Sequence, residues 1–201
     1  MKNILKISLA LFLVFNLQSC KNKPAKKEVK EKTYAIDANK TDINWTAYKT
    51  TDKVPVKGKF TLLNITKASP ATTLTETLNN TEFSIPVSSI FSNNPDRDNK
   101  LKTLFFGVMK NTELLAGTLH ITNETSGYVD FKMNAVVEKL PFTYIVEGNK
   151  IQLEAIMNTD SWQAQSAIES INKSCFDLHK GADGISKTWS DVAISISIYL
   201  K

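Results

Sequence analysis

The chain has 201 residues, 42% of them hydrophobic, which suits one globular domain with appendages and suffices to bury a sizeable core. Its isoelectric point of about 9.1 invites a nucleic-acid reading, but the lysine excess is local: Lys2, Lys6, Lys21, Lys23, Lys26, Lys27, Lys30 and Lys32 against Glu28 and Glu31. Taking these from the 25 basic and 20 acidic residues leaves 17 and 18 in residues 33–201, and Arg97 is the sole arginine, so composition argues against nucleic acid as a partner.

Lys2 and Lys6 precede an apolar run, Ile7 to Phe15, followed by Leu17-Gln18-Ser19-Cys20. A positive start, an apolar middle and a small residue before the cut predict a secretory signal peptide over residues 1–19. Ile4 to Leu17 is too short for a membrane span of about 20 residues. The Leu-x-Ser-Cys ending resembles a bacterial lipobox, in which the cysteine is acylated and becomes the new N-terminus; the alternative is an ordinary signal peptide with a chance cysteine. Acylation of Cys20 would anchor the protein stably in the cell envelope, facing the periplasm. Lys21 to Lys32 is charged and poor in apolar residues, so residues 20–32 read as a lipidated cysteine and a disordered tether.

From Thr33 the period is two. Ile43, Trp45 and Ala47 alternate with Asn44, Thr46 and Tyr48, and Gly58, Phe60 and Leu62 with Lys57, Lys59 and Thr61. Phe83, Ile85 and Val87 share a face opposite Ser84, Pro86 and Ser88. Asn93, Asn94 and Pro95 break this strand, Asp96 stands in an N-cap position, and the following turns end on Leu101, Leu104, Phe105 and Phe106, which need burial. A strand leading into a short helix that closes over a cavity would provide it.

Leu119 and Ile121 precede a turn over residues 123–127; Phe131, Met133, Ala135 and Val137 then alternate with Asp130, Lys132, Asn134 and Val136. Turns near Leu140-Pro141 and at Glu147-Gly148-Asn149 delimit two further strands, the second presenting Ile151, Leu153, Ala155 and Met157 on one face. Asp160 and Gln163 form a capping pair for a helix burying Trp162, Ile168 and Ile171. Residues 174–187 have no period and predict a loop over one barrel end. The last strand sets Val192, Ile194, Ile196, Ile198 and Leu200 against Ala193, Ser195, Ser197 and Tyr199. Roughly eight or nine strands with few helices make an all-β antiparallel barrel or sandwich.

Catalytic motifs are absent: no phosphate loop, nucleophile elbow or HExxH occurs. Cys175, Asp177 and His179 can be drawn as a metal or thiol site, yet no second ligand cluster lies nearby in sequence; the alternative is a packed cysteine and a surface histidine. With Cys20 acylated, Cys175 has no partner for a disulfide. Arg97 has two readings, a salt bridge or cap that pins its turn or a guanidinium that meets a polar head group. A barrel of about eight strands is just wide enough to be filled by its own side chains or to hold one small ligand, and composition leaves both open.

The stretch S-S-I-F-S-N-N-P-x-R-D-x-x-L-x-x-x-F-F, Ser88 to Phe106, resembles the signature of the YceI-like family of small periplasmic lipid-binding proteins. Tyr34-Ala-Ile-Asp37, Ile43-Asn-Trp45, Val56-Lys-Gly58-Lys-Phe60 and Trp189 with Asp191-Val192-Ala-Ile194 agree with it, so the resemblance spans residues 33–201. It implies a lipocalin-like antiparallel barrel of about eight strands, with one or two short helices, enclosing a long isoprenoid chain. Residues matching the family's inward faces are Trp45, Phe60, Phe83, Ile85, Val87, Phe105, Phe106, Phe131, Met133 and Trp162, with Arg97 at the mouth. The expected function is a lipid-anchored envelope protein that binds or carries an isoprenoid or quinone-like amphiphile, without cofactor or catalysis. The other expectation is a filled barrel serving envelope interaction or stress response. Family members can also pair into homodimers.

Overall fold

Apolar residues at every second position need a common interior, and the chain supplies it by curling one antiparallel sheet. The computed structural model describes residues 32–201; the expected signal peptide, Cys20 and the tether up to Glu31 lie outside the described residues. The strands are β1 Asp42–Lys49, β2 Val54–Phe60, β3 Asn64–Lys67, β4 Glu82–Pro86, β5 Ile90–Phe91, β6 Leu114–Ile121, β7 Ser126–Met133, β8 Val136–Glu147, β9 Lys150–Asn158 and β10 Thr188–Tyr199. Their order is β3-β4-β6-β7-β8-β9-β10-β1-β2-β5. The sheet thus holds ten strands where about eight were expected, the surplus being the short edge strands β3 and β5. The all-β, antiparallel barrel class stands.

The barrel seam is crossed by the chain itself. A 3-10 turn, Val87–Ser89, carries β4 at one side of the sheet into β5, which pairs with β2 at the other through Lys59↔Phe91 and Phe60↔Ile90. Thr61 N donates to Ser89 O at 3.0 Å and Val87 N to Glu113 O at 3.0 Å, so the turn is tied to both flanks. This turn also ends the alternation read through Phe83, Ile85 and Val87. Val87 is buried in the packed core rather than along the inner wall of the barrel.

Other departures have local causes. The strand read through Asn134 and Ala135 stops at Met133, because both residues take positive φ and make a two-residue hairpin turn into β8. The side chain of Asn134 secures it, accepting from Lys110 N at 2.8 Å and donating to Trp162 O and Gln163 O at 2.9 and 3.0 Å. The turn expected at Leu140-Pro141 does not form: Pro141 lies inside β8, in the half that pairs only with β7, where a missing donor is tolerated. Leu62 falls just past the end of β2 and is exposed, while Leu63 packs inward.

Among the described residues three α-helices accompany the sheet: α1 Leu74–Leu78, α2 Pro95–Lys100 and α3 Gln165–Ser174. The cap of α2 is Asn94, not Asp96: Asn94 Oδ1 accepts from Arg97 N at 3.0 Å with Pro95 in the first turn. A single π turn, Leu101–Phe105, and a 3-10 turn, Phe106–Val108, then bring Phe105 and Phe106 to the barrel. The expected Asp160–Gln163 capping pair is replaced by a 3-10 turn, Thr159–Trp162, ended by Gln163 at φ 56°, and α3 starts only at Gln165. Trp162 is consequently not on α3. It is fully buried behind the wall, where its Nε1 donates to Phe131 O at 2.7 Å and its ring meets Phe131 edge-on.

Candidate ligand cavity

The inner faces of the strands do not meet. They leave a cavity of about 420 Å³ whose walls come from nearly every strand, from the turns after α2 and from α3. Both Thr41, just before β1, and Lys49 at its far end line it, so the hollow follows β1 for roughly 25 Å at the rise of an extended strand. Its middle is hydrocarbon: Val192, Ile194, Ile196 and Ile198 from β10, Leu153, Ala155 and Met157 from β9, and Leu119, Val129 and Leu140 from β6 to β8. Ile194 and Ile196 point inward yet are only half-buried, because they border empty space.

Most of the sequence-selected residues come together on this wall. Trp45, Phe60, Phe83, Ile85, Phe131 and Met133 line it from the sheet, and Phe105 and Phe106 from the turns after α2. The Phe105 and Phe106 rings meet edge-on at 5.0 Å, and Phe106 reaches Phe60 at 6.4 Å, forming an aromatic closure beside β2. Val87 and Trp162 are not on the wall: the turn after Pro86 removes the first, and the 3-10 turn places the second behind Phe131. The Trp45 indole is buried, and its Nε1 meets no acceptor among the described residues.

One end is polar. Arg97 and Lys100 from α2, Asn94 and Asp96 beside them, Lys49 and Tyr48 from β1, and His179 and Thr188 around the loop after α3 line it together. Among the described residues the Arg97 side chain makes no ion pair. The turn is pinned instead by Asp98, a buried carboxylate whose Oδ1 accepts from Ser92 N at 2.8 Å and Ser92 Oγ at 2.6 Å.

His179 is half-buried on the cavity wall rather than a surface residue; its Nδ1 lies 2.7 Å from Thr188 Oγ1, which donates to Asn172 Oδ1 at 3.0 Å. With the Thr188 proton committed to Asn172, the neutral imidazole carries its proton on Nδ1. Burial, then the ammonium groups of Lys49 and Lys100, pull its pKa below the ordinary imidazole value. Cys175 is buried on the same wall and Asp177 is exposed; among the described residues no three His, Cys, Asp or Glu side chains group as a metal site requires.

The family of YceI-like domains matches residues 34–200, most of the chain. The protein belongs to the YceI-like family. Among solved structures, a polyisoprenoid binding domain from Saccharophagus degradans implicated in plant cell wall breakdown superposes with a TM-score of 0.61 at 11% identity, over 84% of this chain and 97% of that one. BcnA of Burkholderia cenocepacia superposes with a TM-score of 0.52 at 10% identity, over 83% and 99%. At such identities the likeness is one of fold. No curated protein sequence matches the chain.

Within this YceI-like domain, sequence reasoning missed Lys49, Lys100 and Tyr48 at the polar end, and weighed His179 only as a metal or thiol ligand or a surface residue. Lys100 follows Arg97 by three residues on α2, a spacing that shares a helix face, so it was within reach. Lys49 continues the parity of Ile43, Trp45 and Ala47 and was within reach as well, whereas Tyr48 is out of phase and lies beside a register irregularity between Ala47 and Lys49 against β10.

Proposed function

We propose that the protein is a bacterial cell-envelope lipoprotein, anchored through Cys20 and facing the periplasm, whose barrel binds or carries a long-chain isoprenoid lipid. The ligand is polyprenyl or quinone-like, and the role is binding without catalysis. The observation that carries this reading is the hollow: a long apolar space with a single polar end suits an amphiphile with a hydrocarbon tail. Each buried methylene-sized group contributes about 0.8 kcal/mol, so one five-carbon unit adds up to roughly 4 kcal/mol before ordering costs. Affinity then grows with tail length, and a few polar groups discriminate the head. Trp45, Phe60, Phe83, Ile85, Phe105, Phe106, Phe131 and Met133 would touch the tail and Arg97 the head, while Val87 and Trp162 support the wall from behind. The polyisoprenoid binding of the Saccharophagus degradans domain supports the same class of ligand.

Native mass spectrometry of the full chain, released from mild detergent, tests this. A retained species of isoprenoid mass is expected. Ala155→Phe, which fills the hollow from β9, should abolish retention while the melting temperature holds. A protein that emerges empty and also refuses added prenyl lipid refutes the proposal.

A further inference from the structure

The polar end holds more positive charge than a neutral head group needs. Lys49, Arg97 and Lys100 all line it, and the acid that lines it with them is Asp96. Two nearby acids are committed elsewhere, the Asp98 carboxylate turned onto Ser92 and Asp191 paired with Lys53 at 3.0 Å, while Asp177 is exposed and does not line the hollow. Lys49 Nζ donates to Leu178 O at 2.9 Å, which fixes the ammonium at the mouth; among the described residues its other protons meet no acceptor. Arg97 is oriented by the cap that Asn94 places on its backbone. All three cations are half-buried beside a low-dielectric hollow, where unpaired charge is costly and an incoming anion is worth more than in water. Burial, then the ammonium groups of Lys49 and Lys100, lower the His179 pKa, in keeping with both lysines lining the mouth beside that imidazole.

We infer that the mouth is a site for an anionic head group, a phosphate or carboxylate borne on the lipid, held by Lys49, Arg97 and Lys100. This rests on the lipid-binding reading above and narrows it: a prenyl phosphate or prenylated acid fits, and a neutral quinone or alcohol leaves the cations unpaired. The planar guanidinium of Arg97 takes two oxygens of such a group, and the lysines supply point charge.

The test compares geranylgeranyl phosphate, geranylgeraniol and inorganic phosphate on the full chain by isothermal calorimetry at low and high salt. Geranylgeranyl phosphate should bind about tenfold or more tightly than the alcohol, an advantage that shrinks with salt. In R97Q/K100Q, and in K100Q alone should the double variant unfold, the ratio of the two affinities should fall toward one, with circular dichroism reporting the fold. Equal binding of phosphate and alcohol by the native chain overturns the anionic site and leaves the lipid-binding proposal intact. Inorganic phosphate binding as tightly as the prenyl phosphate also overturns it, marking a free-anion site. Failure of both prenyl probes overturns this inference and the lipid-binding proposal together.

Discussion

Gly58→Ala is the smallest change that should disturb the barrel wall. Gly58 stands directly opposite Trp45 across the β1–β2 pair. A Cβ there would lie 2.2 Å from Trp45 Cζ2, 2.6 Å from Cε2 and 2.8 Å from Cη2. Carbon atoms rest at about 3.5 Å or more, so the indole must withdraw by more than about 1 Å. Backbone on either side is fixed by pairing with β2 and β10, and the hollow is the direction that yields. Overpacking of this kind costs about 1–3 kcal/mol. At about 2–4 °C per kcal/mol for a domain of this size, the melting temperature should fall by roughly 2–12 °C. Trp45→Phe removes the clashing part of the ring, so the double variant should recover stability against the sum of the singles, with a coupling of about 0.5–3 kcal/mol in urea titrations. Strictly additive costs, or an unchanged melting temperature for Gly58→Ala, would refute the reasoning.

Two further outcomes follow from the mouth. Asp98→Ala strands the buried Ser92 N–H and hydroxyl, and should cost about 1–3 kcal/mol in urea titration; a loss under about 0.5 kcal/mol means that Asp98 does not pin the α2 turn. His179 is held below its ordinary pKa in the folded protein, so the unfolded chain binds more protons as pH falls through about 6.5. Stability should therefore drop below that pH, down to the lowered folded value. Titrations across this window should show the native chain losing stability relative to His179→Gln on acidification, with the difference flat above about pH 7. A pH-independent difference, or one of opposite sign, removes the histidine from the linkage.

Period-two alternation made the longer strands legible. The inward sets of β9 and β10 are those that the sequence presents, since no bulge interrupts their pairing from Asp191 to Tyr199. Legibility failed where one residue's backbone decides the outcome. Asn134 and Ala135 continue an apolar alternation perfectly well as letters, and only their positive φ turns the chain. Asp96 and Asn94 are both good caps, and Pro95 in the first helical position is what selects the residue before it. The edge strands β3 and β5, of four and two residues, are too short to show a period at all.

That the interior is hollow followed from the family resemblance and not from composition or strand parity, and the physical reason lies in three cross-strand pairs. Trp45 faces Gly58, Phe83 faces Gly117, and Phe142 faces Gly127, each in direct register on neighbouring strands. In every pair a Cβ on the glycine would stand no more than 3.0 Å from the aromatic ring, so each ring lies over bare backbone. Large side chains that would otherwise project across the barrel are thereby laid along its wall. Alanine in place of glycine would crowd each ring, most directly Trp45 at Gly58, and an inward pattern read from sequence alone cannot separate the two cases. Strand parity says which side chains face the axis; the glycine opposite each ring decides how far it reaches. The three glycines differ in what an added Cβ meets first: the Trp45 ring at Gly58, Val129 Cγ1 at 2.6 Å at Gly117, and the backbone oxygen of His120 at 2.3 Å at Gly127. Gly58→Ala should therefore weaken prenyl-lipid retention by pressing a ring into the lumen, whereas Gly127→Ala should first strain the β6–β7 pairing and cost stability.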